Sequence, residues 1–228
     1  SGKPIYFMAL DKHGRALQRM RTFTHLMPGE KQSCVGCHAD RNSAVSGNKK
    51  RPVAALREPE ELEKPDWGVN GFSYAHVVQP VLDKHCVSCH RPGKMMSGLD
   101  LTGDKTDFFN VSYEQLAREG HPGTNRYTKW IPTYNGMEAS ILQVKPLKWG
   151  SPASKLANVI RSGHPKRDGR KRLNMSENEM LRIYTWIDLN VPYYGDSIAR
   201  NNEIRGCRQV VPAALDGVLG DVAHRRCY

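Results

Sequence analysis

Two pentapeptides constrain this chain more than anything else in it: Cys34-Val35-Gly36-Cys37-His38 and Cys86-Val87-Ser88-Cys89-His90. Cys-x-x-Cys-His is the attachment pattern of a c-type haem. Two thiols at that spacing add across the two vinyl groups of one porphyrin and form thioether bonds. The next residue then lies under the iron, where its imidazole serves as proximal ligand. The sequence therefore predicts two covalently bound haem c groups, each with its iron. Cys34, Cys37, Cys86 and Cys89 are the expected attachment residues, with His38 and His90 as metal ligands. A shared zinc ion fits worse. A zinc ribbon separates its Cys pairs by about 15–20 residues, whereas residues 38 to 85 lie between the pairs here. A thioredoxin-like dithiol would sit in a βαβ unit, and none is readable around either pair.

The bulk properties agree with such a chain. At 228 residues it fits one or two domains. The hydrophobic fraction of 39% is low and the mean hydropathy is −0.61, which suits a core built partly from cofactor. No apolar run approaches the length of a membrane span. Ser1-Gly2-Lys3-Pro4 opens directly onto a strand-like stretch with no signal peptide, so the chain reads as a mature or trimmed product. Covalent haem attachment takes place outside the bacterial cytoplasm, which predicts a periplasmic or other extracytoplasmic location. Cys207 and Cys227, both in the C-terminal tail, are expected to close a disulfide there; free thiols or an intermolecular bridge are the alternatives. The formal net charge is +11. A basic cytochrome face commonly meets an acidic redox partner, because opposite fields speed encounter. Nucleic acid is discounted: the basic residues read as scattered and no nucleic-acid motif is present.

Hydrophobic patterning predicts a mainly α fold with much irregular structure, a c-type cytochrome, plus a small N-terminal β-hairpin. Pro4 to Leu10 is apolar and β-prone, Asp11-Lys12-His13-Gly14 supplies turn chemistry, and Ala16 to Met20 returns. Such a hairpin is marginal alone and must pack on the first haem, on the second domain, or on something outside this chain. A polar linker follows the first motif. Residues 1–64 are thus read as hairpin, first haem segment and linker; 65–198 as a second cytochrome c-like haem domain; 199–228 as a tail. Phe72 to Lys84 reads as a helix with a kink or restart at Pro80, and a short helix is expected near 112–119. Ser151 is the expected N-cap of a helix with Pro152 at its first position and Gly163 at its end. Ser176-Glu177-Asn178-Glu179 is a capping box. Met180, Ile183, Tyr184 and Ile187 then give that last helix its core stripe.

The sixth iron ligand decides between electron transfer and chemistry, since only an open haem binds exogenous molecules. His164 stands out for haem II. It follows Gly163 at a helix end and precedes Pro165, so an imidazole sits on a rigid corner. Met95 and Met96 are its rivals, and Met ligation would raise the reduction potential. His85 adjoins Cys86 and is expected to point elsewhere. For haem I the candidates are His25, just upstream, with Met27, His13 or an open position as alternatives.

Met20 to Glu30 followed by Ser33 to His38 resembles the haem-binding part of the hydrazine synthase alpha subunit family. Val78 to His90, Gly163-His164, and Thr185 to Gly195 extend the resemblance across residues 5–195. It implies the C-terminal dihaem portion of such a subunit, possible membership of a larger multi-haem assembly, and an N–N bond-forming centre at the first haem. It also implies a bis-His electron relay at the second, with the Gly-His segment supplying the distal ligand. The family's Tyr ligand, four residues after the first proximal His, is replaced here by Asn42. The expected activity is therefore electron transfer rather than catalysis, with a haem enzyme acting on small nitrogen species as the alternative.

Overall fold

The computed structural model describes residues 4–20, 23–30, 32, 56–58, 61–69, 71–94, 96–106, 109–118, 130–131 and 146–195. The first motif, Cys34 to His38, and both tail cysteines lie outside the described residues, as do Met95 and Asn42.

The chain opens on a hairpin. Strand β1 (Met8–Leu10) pairs antiparallel with β2 (Ala16–Arg19), Met8 facing Arg19, with an irregularity after Ala9. A bridge between Ile5 and Thr24 prolongs the ribbon. The turn is made by Asp11: its carboxylate accepts from the His13 and Arg15 amides at 2.8 and 3.0 Å and pairs with the Arg15 guanidinium at 2.7 Å. Gly14 has φ +77°, a conformation that costs a side chain energy. Among the described residues the hairpin docks on the segment that follows residue 65: Ala16 is fully buried and packs with Met8 against Trp149. Arg19 lies over the Trp149 ring at 4.9 Å. The outward side leaves Phe7 and Phe23 largely exposed.

The second segment starts with a wide π turn, Tyr74–Val78, that runs into helix α1 (Gln79–His85). Pro80 explains the restart expected there. It has no N–H to give to a preceding carbonyl, and the Gln79 amide reaches back five residues to Tyr74. Helix α2 (Val111–Tyr113) continues into a second π turn, Glu114–Arg118, at the position expected for a short helix. Helix α3 (Gly150–Ala153) is one turn long, α4 spans Lys155–Arg161 and α5 spans Glu177–Asp188.

One expectation is corrected. Ser151 is not the N-cap of the long helix. The chain breaks at Ser154 (ψ 129°), whose hydroxyl accepts from the Ala157 amide at 3.2 Å and caps α4. Ser151 is drawn elsewhere: its amide and hydroxyl both donate to Asp188, each at 2.7 Å. The capping box forms as expected, and Ile183, Tyr184 and Ile187 are buried.

The core lies where α1, α2, α4 and α5 meet. Val78, Leu82, Leu116, Ile131 and Ile187 surround an aromatic group of Tyr74, Tyr113, Trp186 and Tyr193. Tyr74 packs on Trp186 with ring centres 4.9 Å apart, and Tyr113 meets Tyr193 edge-on at 4.8 Å. Aromatic pairs prefer such tilted arrangements. Their hydroxyls are satisfied inside: Tyr74 donates to Ser112 and Tyr113 to the Val191 carbonyl. Burial accordingly pushes the Tyr74 hydroxyl far above its ordinary range. Among the described residues, no helix is long and apolar enough to cross a membrane.

Candidate functional site

Helix α1 delivers the second Cys-x-x-Cys-His motif. The Cys86 amide closes on the Leu82 carbonyl at 2.8 Å, and the chain keeps coiling: Cys89 and His90 both donate to the Cys86 carbonyl, at 3.1 and 3.0 Å. Leu101, in the extended piece after the motif, donates to the His90 carbonyl at 2.9 Å. The His90 backbone is thus held from both sides. Cys86 and Val87 pack against the core, while Cys89 is exposed. Burial pushes the Cys86 thiol up to about 12, and the neighbouring Cys89 adds to the shift. A thiol in that state stays protonated at neutral pH, whereas the thiolate is the metal-binding form.

Helix α4 delivers His164. Its last turn ends in a Schellman motif. The Gly163 amide donates to the Ile160 carbonyl at 3.0 Å and the His164 amide to the Val159 carbonyl at 2.9 Å. Gly163 takes φ +75° and His164 itself φ +48°. The left-handed region is uncommon for a residue with a side chain, and His is among the few types enriched there. The Gly163 carbonyl accepts from both Arg172 and Leu173, at 2.9 and 3.0 Å, which closes the following loop back onto the corner.

These two elements bring His90 and His164 together. Their ring centres are 6.3 Å apart and their planes are inclined by 40°. The His164 imidazole is held below its ordinary value, first by partial burial, then by Arg172 and His90 nearby, so its neutral, ligating form is favoured. The Nδ1 atom of His90 is buried without a hydrogen-bond partner. Two imidazoles so arranged can share one metal between them. A bare ion is less well served: among the described residues, no group of three or more His, Cys, Asp or Glu gathers around one point.

The other candidates separate cleanly. His85 turns away toward α5, with Nε2 3.1 Å from Glu179 Oε1. Lys84 meets the same oxygen at 2.7 Å, and its hydrogen bond is the main reason Glu179 is held down to about 2. Met96 is largely exposed. His25 is exposed beside Phe23, ring centres 6.4 Å apart, and its expected partners Cys34, Cys37 and His38 lie outside the described residues. The sequence reading missed Arg172 beside His164, and it missed Asp188, which receives the Ala16 amide at 2.9 Å as well as Ser151. For Arg172 the signal was present in the run Lys166-Arg167-Asp168-Gly169-Arg170-Lys171-Arg172. Five of the 34 basic residues are therefore clustered rather than scattered, in a run that lies directly on the His164 corner.

Residues 1–39 match the family model described as the hydrazine synthase alpha subunit middle domain. That stretch holds the hairpin and the whole first motif, and the match is to a middle domain rather than to the C-terminal portion. No curated protein and no solved structure matches the chain.

Proposed function

We propose that the chain is a dihaem c-type cytochrome of the hydrazine synthase alpha-like kind, working outside the cytoplasm and passing electrons to and from protein partners. One haem would be held by Cys86 and Cys89 through thioether links, with His90 and His164 as axial ligands. The other would be held by Cys34, Cys37 and His38, with His25 as candidate for its remaining position. The separation of His90 from His164 carries this reading. A metal between two opposed imidazoles, bound at about 2 Å on each side, sets the ring centres about 6 Å apart; the observed value is 6.3 Å. A haem bound there supplies a one-electron couple. The chain's own contribution is to hold both imidazoles from rigid backbone and to keep the distal one neutral.

A visible spectrum, oxidised and reduced, tests the reading together with intact mass. Two haems per chain and a low-spin spectrum are expected. His164→Ala should convert one haem of the two to high-spin, and replacing Cys86 and Cys89 by Ala should remove one haem from the mass. An unchanged spectrum in His164→Ala removes His164 from the site, and colourless protein removes the whole reading.

The family match favours a second reading for the first motif: a haem with an open position that acts on a small nitrogen species. It predicts a high-spin fraction in the resting oxidised protein and binding of cyanide or nitric oxide at one haem per chain. A fully low-spin spectrum unaffected by cyanide excludes it.

A further inference from the structure

The loop from His164 to Leu173 carries Lys166, Arg167, Arg170, Lys171 and Arg172 against the single carboxylate of Asp168. That is a net +4 in ten residues of a chain whose total is +11. All five cations are exposed. The loop is also built, not loose. Lys166 donates to the Arg170 carbonyl at 2.8 Å and Gly169 to the Lys166 carbonyl at 3.0 Å, and the far end returns to the Gly163 carbonyl. Asp168 is occupied by Arg170 at 2.7 Å; Lys166, Arg167 and Lys171 are exposed around that pair, and Arg172 lies between the loop and His164. The stem of Lys171 lies over Gly163, so close that a Cβ there would meet its Cδ at 2.7 Å. Fixed charges of one sign raise encounter rates with an opposite surface by factors of about 10–1,000.

We propose that this loop is the docking surface for an acidic redox protein, its cations meeting carboxylates that ring the partner's own cofactor. The inference rests on the reading of His164 as an axial ligand, because the same corner would then join the docking surface to the haem. A protein surface fits better than a lipid one. The loop offers only Pro165 and Leu173 as apolar residues, too little to insert into a bilayer.

The test uses the holoprotein and a reduced plant-type ferredoxin, an acidic one-electron donor. In the reaction followed, its iron–sulfur cluster loses one electron and a ferric haem gains it. The loop variant is Lys166→Glu, Arg167→Glu, Lys171→Glu. A control with the same charge change carries Lys12→Glu, Lys64→Glu and Lys148→Glu. A milder Lys166→Gln, Arg167→Gln variant serves if the triple reversal fails to fold. The rate of haem reduction is read against ionic strength, and ferredoxin binding is read separately by surface plasmon resonance.

The loop variant should lose about ten-fold or more in rate at low salt, flatten the salt dependence and weaken binding, while the control keeps most of both. Equal losses in the two variants, or none in either, overturn the docking surface. So does capture by vesicles with 30% anionic lipid that exceeds ferredoxin binding and is lost in the same variant. The visible spectrum separates the two failures: coloured, low-spin protein with an unaltered rate sinks the docking surface alone, whereas absent haem sinks the cytochrome reading with it.

Discussion

Asp188 ties the hairpin to the helices, and its removal has a cost that follows from three bonds. Its carboxylate accepts from the Ala16 amide at 2.9 Å, the Ser151 amide at 2.7 Å and the Ser151 hydroxyl at 2.7 Å. Ala16 and Ser151 are fully buried and Asp188 is 2% exposed, so water cannot readily replace the lost acceptor. In Asp188→Ala two backbone amides are stranded, each at about 1–3 kcal/mol; the hydroxyl can turn to another acceptor. Some of this is offset, since burial holds the carboxyl above its ordinary 3.8 and its desolvation is relieved. A net loss of about 3 kcal/mol remains, a large share of the roughly 5–15 kcal/mol available to a native protein. For a chain of this size that is about 6–12 °C in Tm. Asp188→Asn should lose about half as much. Its carbonyl keeps the Ser151 amide, but its NH2 faces the Ala16 amide, donor against donor. Circular dichroism melts of the holoprotein give the stability. Amide exchange at Ala16 gives the location, because that proton should lose protection first. Melting within 1 °C of the parent in Asp188→Ala, with Ala16 still protected, would refute the reasoning.

The same carboxyl and Glu179 should give stability opposite pH slopes. The Asp188 pKa is raised, so its linked contribution is complete below pH 3.8 and falls as pH rises through the raised value; Asp188→Asn should flatten that decline in denaturant titrations. The Glu179 pKa is lowered from 4.5 to about 2, so its contribution is complete above pH 4.5 and is lost as pH falls toward 2. Glu179→Gln keeps the capping box and should flatten the acid limb between those values; an acid limb as steep as the parent's would count against the Lys84 and His85 contacts. Gly163→Ala meets both a positive φ of +75° and the stem of Lys171, and should cost about 1–2 kcal/mol by chemical denaturation. Adding Lys171→Ala should recover only the steric part. Ser154→Ala removes the cap of α4 and should cost about 1 kcal/mol, whereas Ser151→Ala should act through Asp188 and show non-additivity with Asp188→Ala in a double-mutant cycle.

What the sequence disclosed was local. The hairpin, the restart at Pro80, the capping box at Ser176 and the helix end at Gly163 each depend on residues within a few positions of one another, and each is present in the fold. His164 was singled out for the same reason, because Gly163 and Pro165 flank it. Its position opposite His90 was not legible, since 74 residues separate them and only packing of the 74–78 turn and of α4 against α5 decides it. Ser151 was the cap expected from sequence, and Ser154 carries the same hydroxyl. The choice fell to Asp188, which lies 37 residues from Ser151 and 172 from Ala16, and no periodicity reports such a bond. The cationic run at 166–172 was in plain view, but its meaning depended on the loop folding back to the His164 corner.

That corner has a consequence for any ligand mounted on it. Val159, Ile160 and Gly163 lock the backbone entering His164 through bonds that do not involve the imidazole, so only the two side-chain torsions of the ring are left for a bound partner to fix. The backbone share of that ordering entropy is settled by the fold. Were His164 to ligate a haem iron as proposed, its backbone would have little room to move when the charge on that iron changed by one electron. Exchange between the two oxidation states would then ask little movement of that corner.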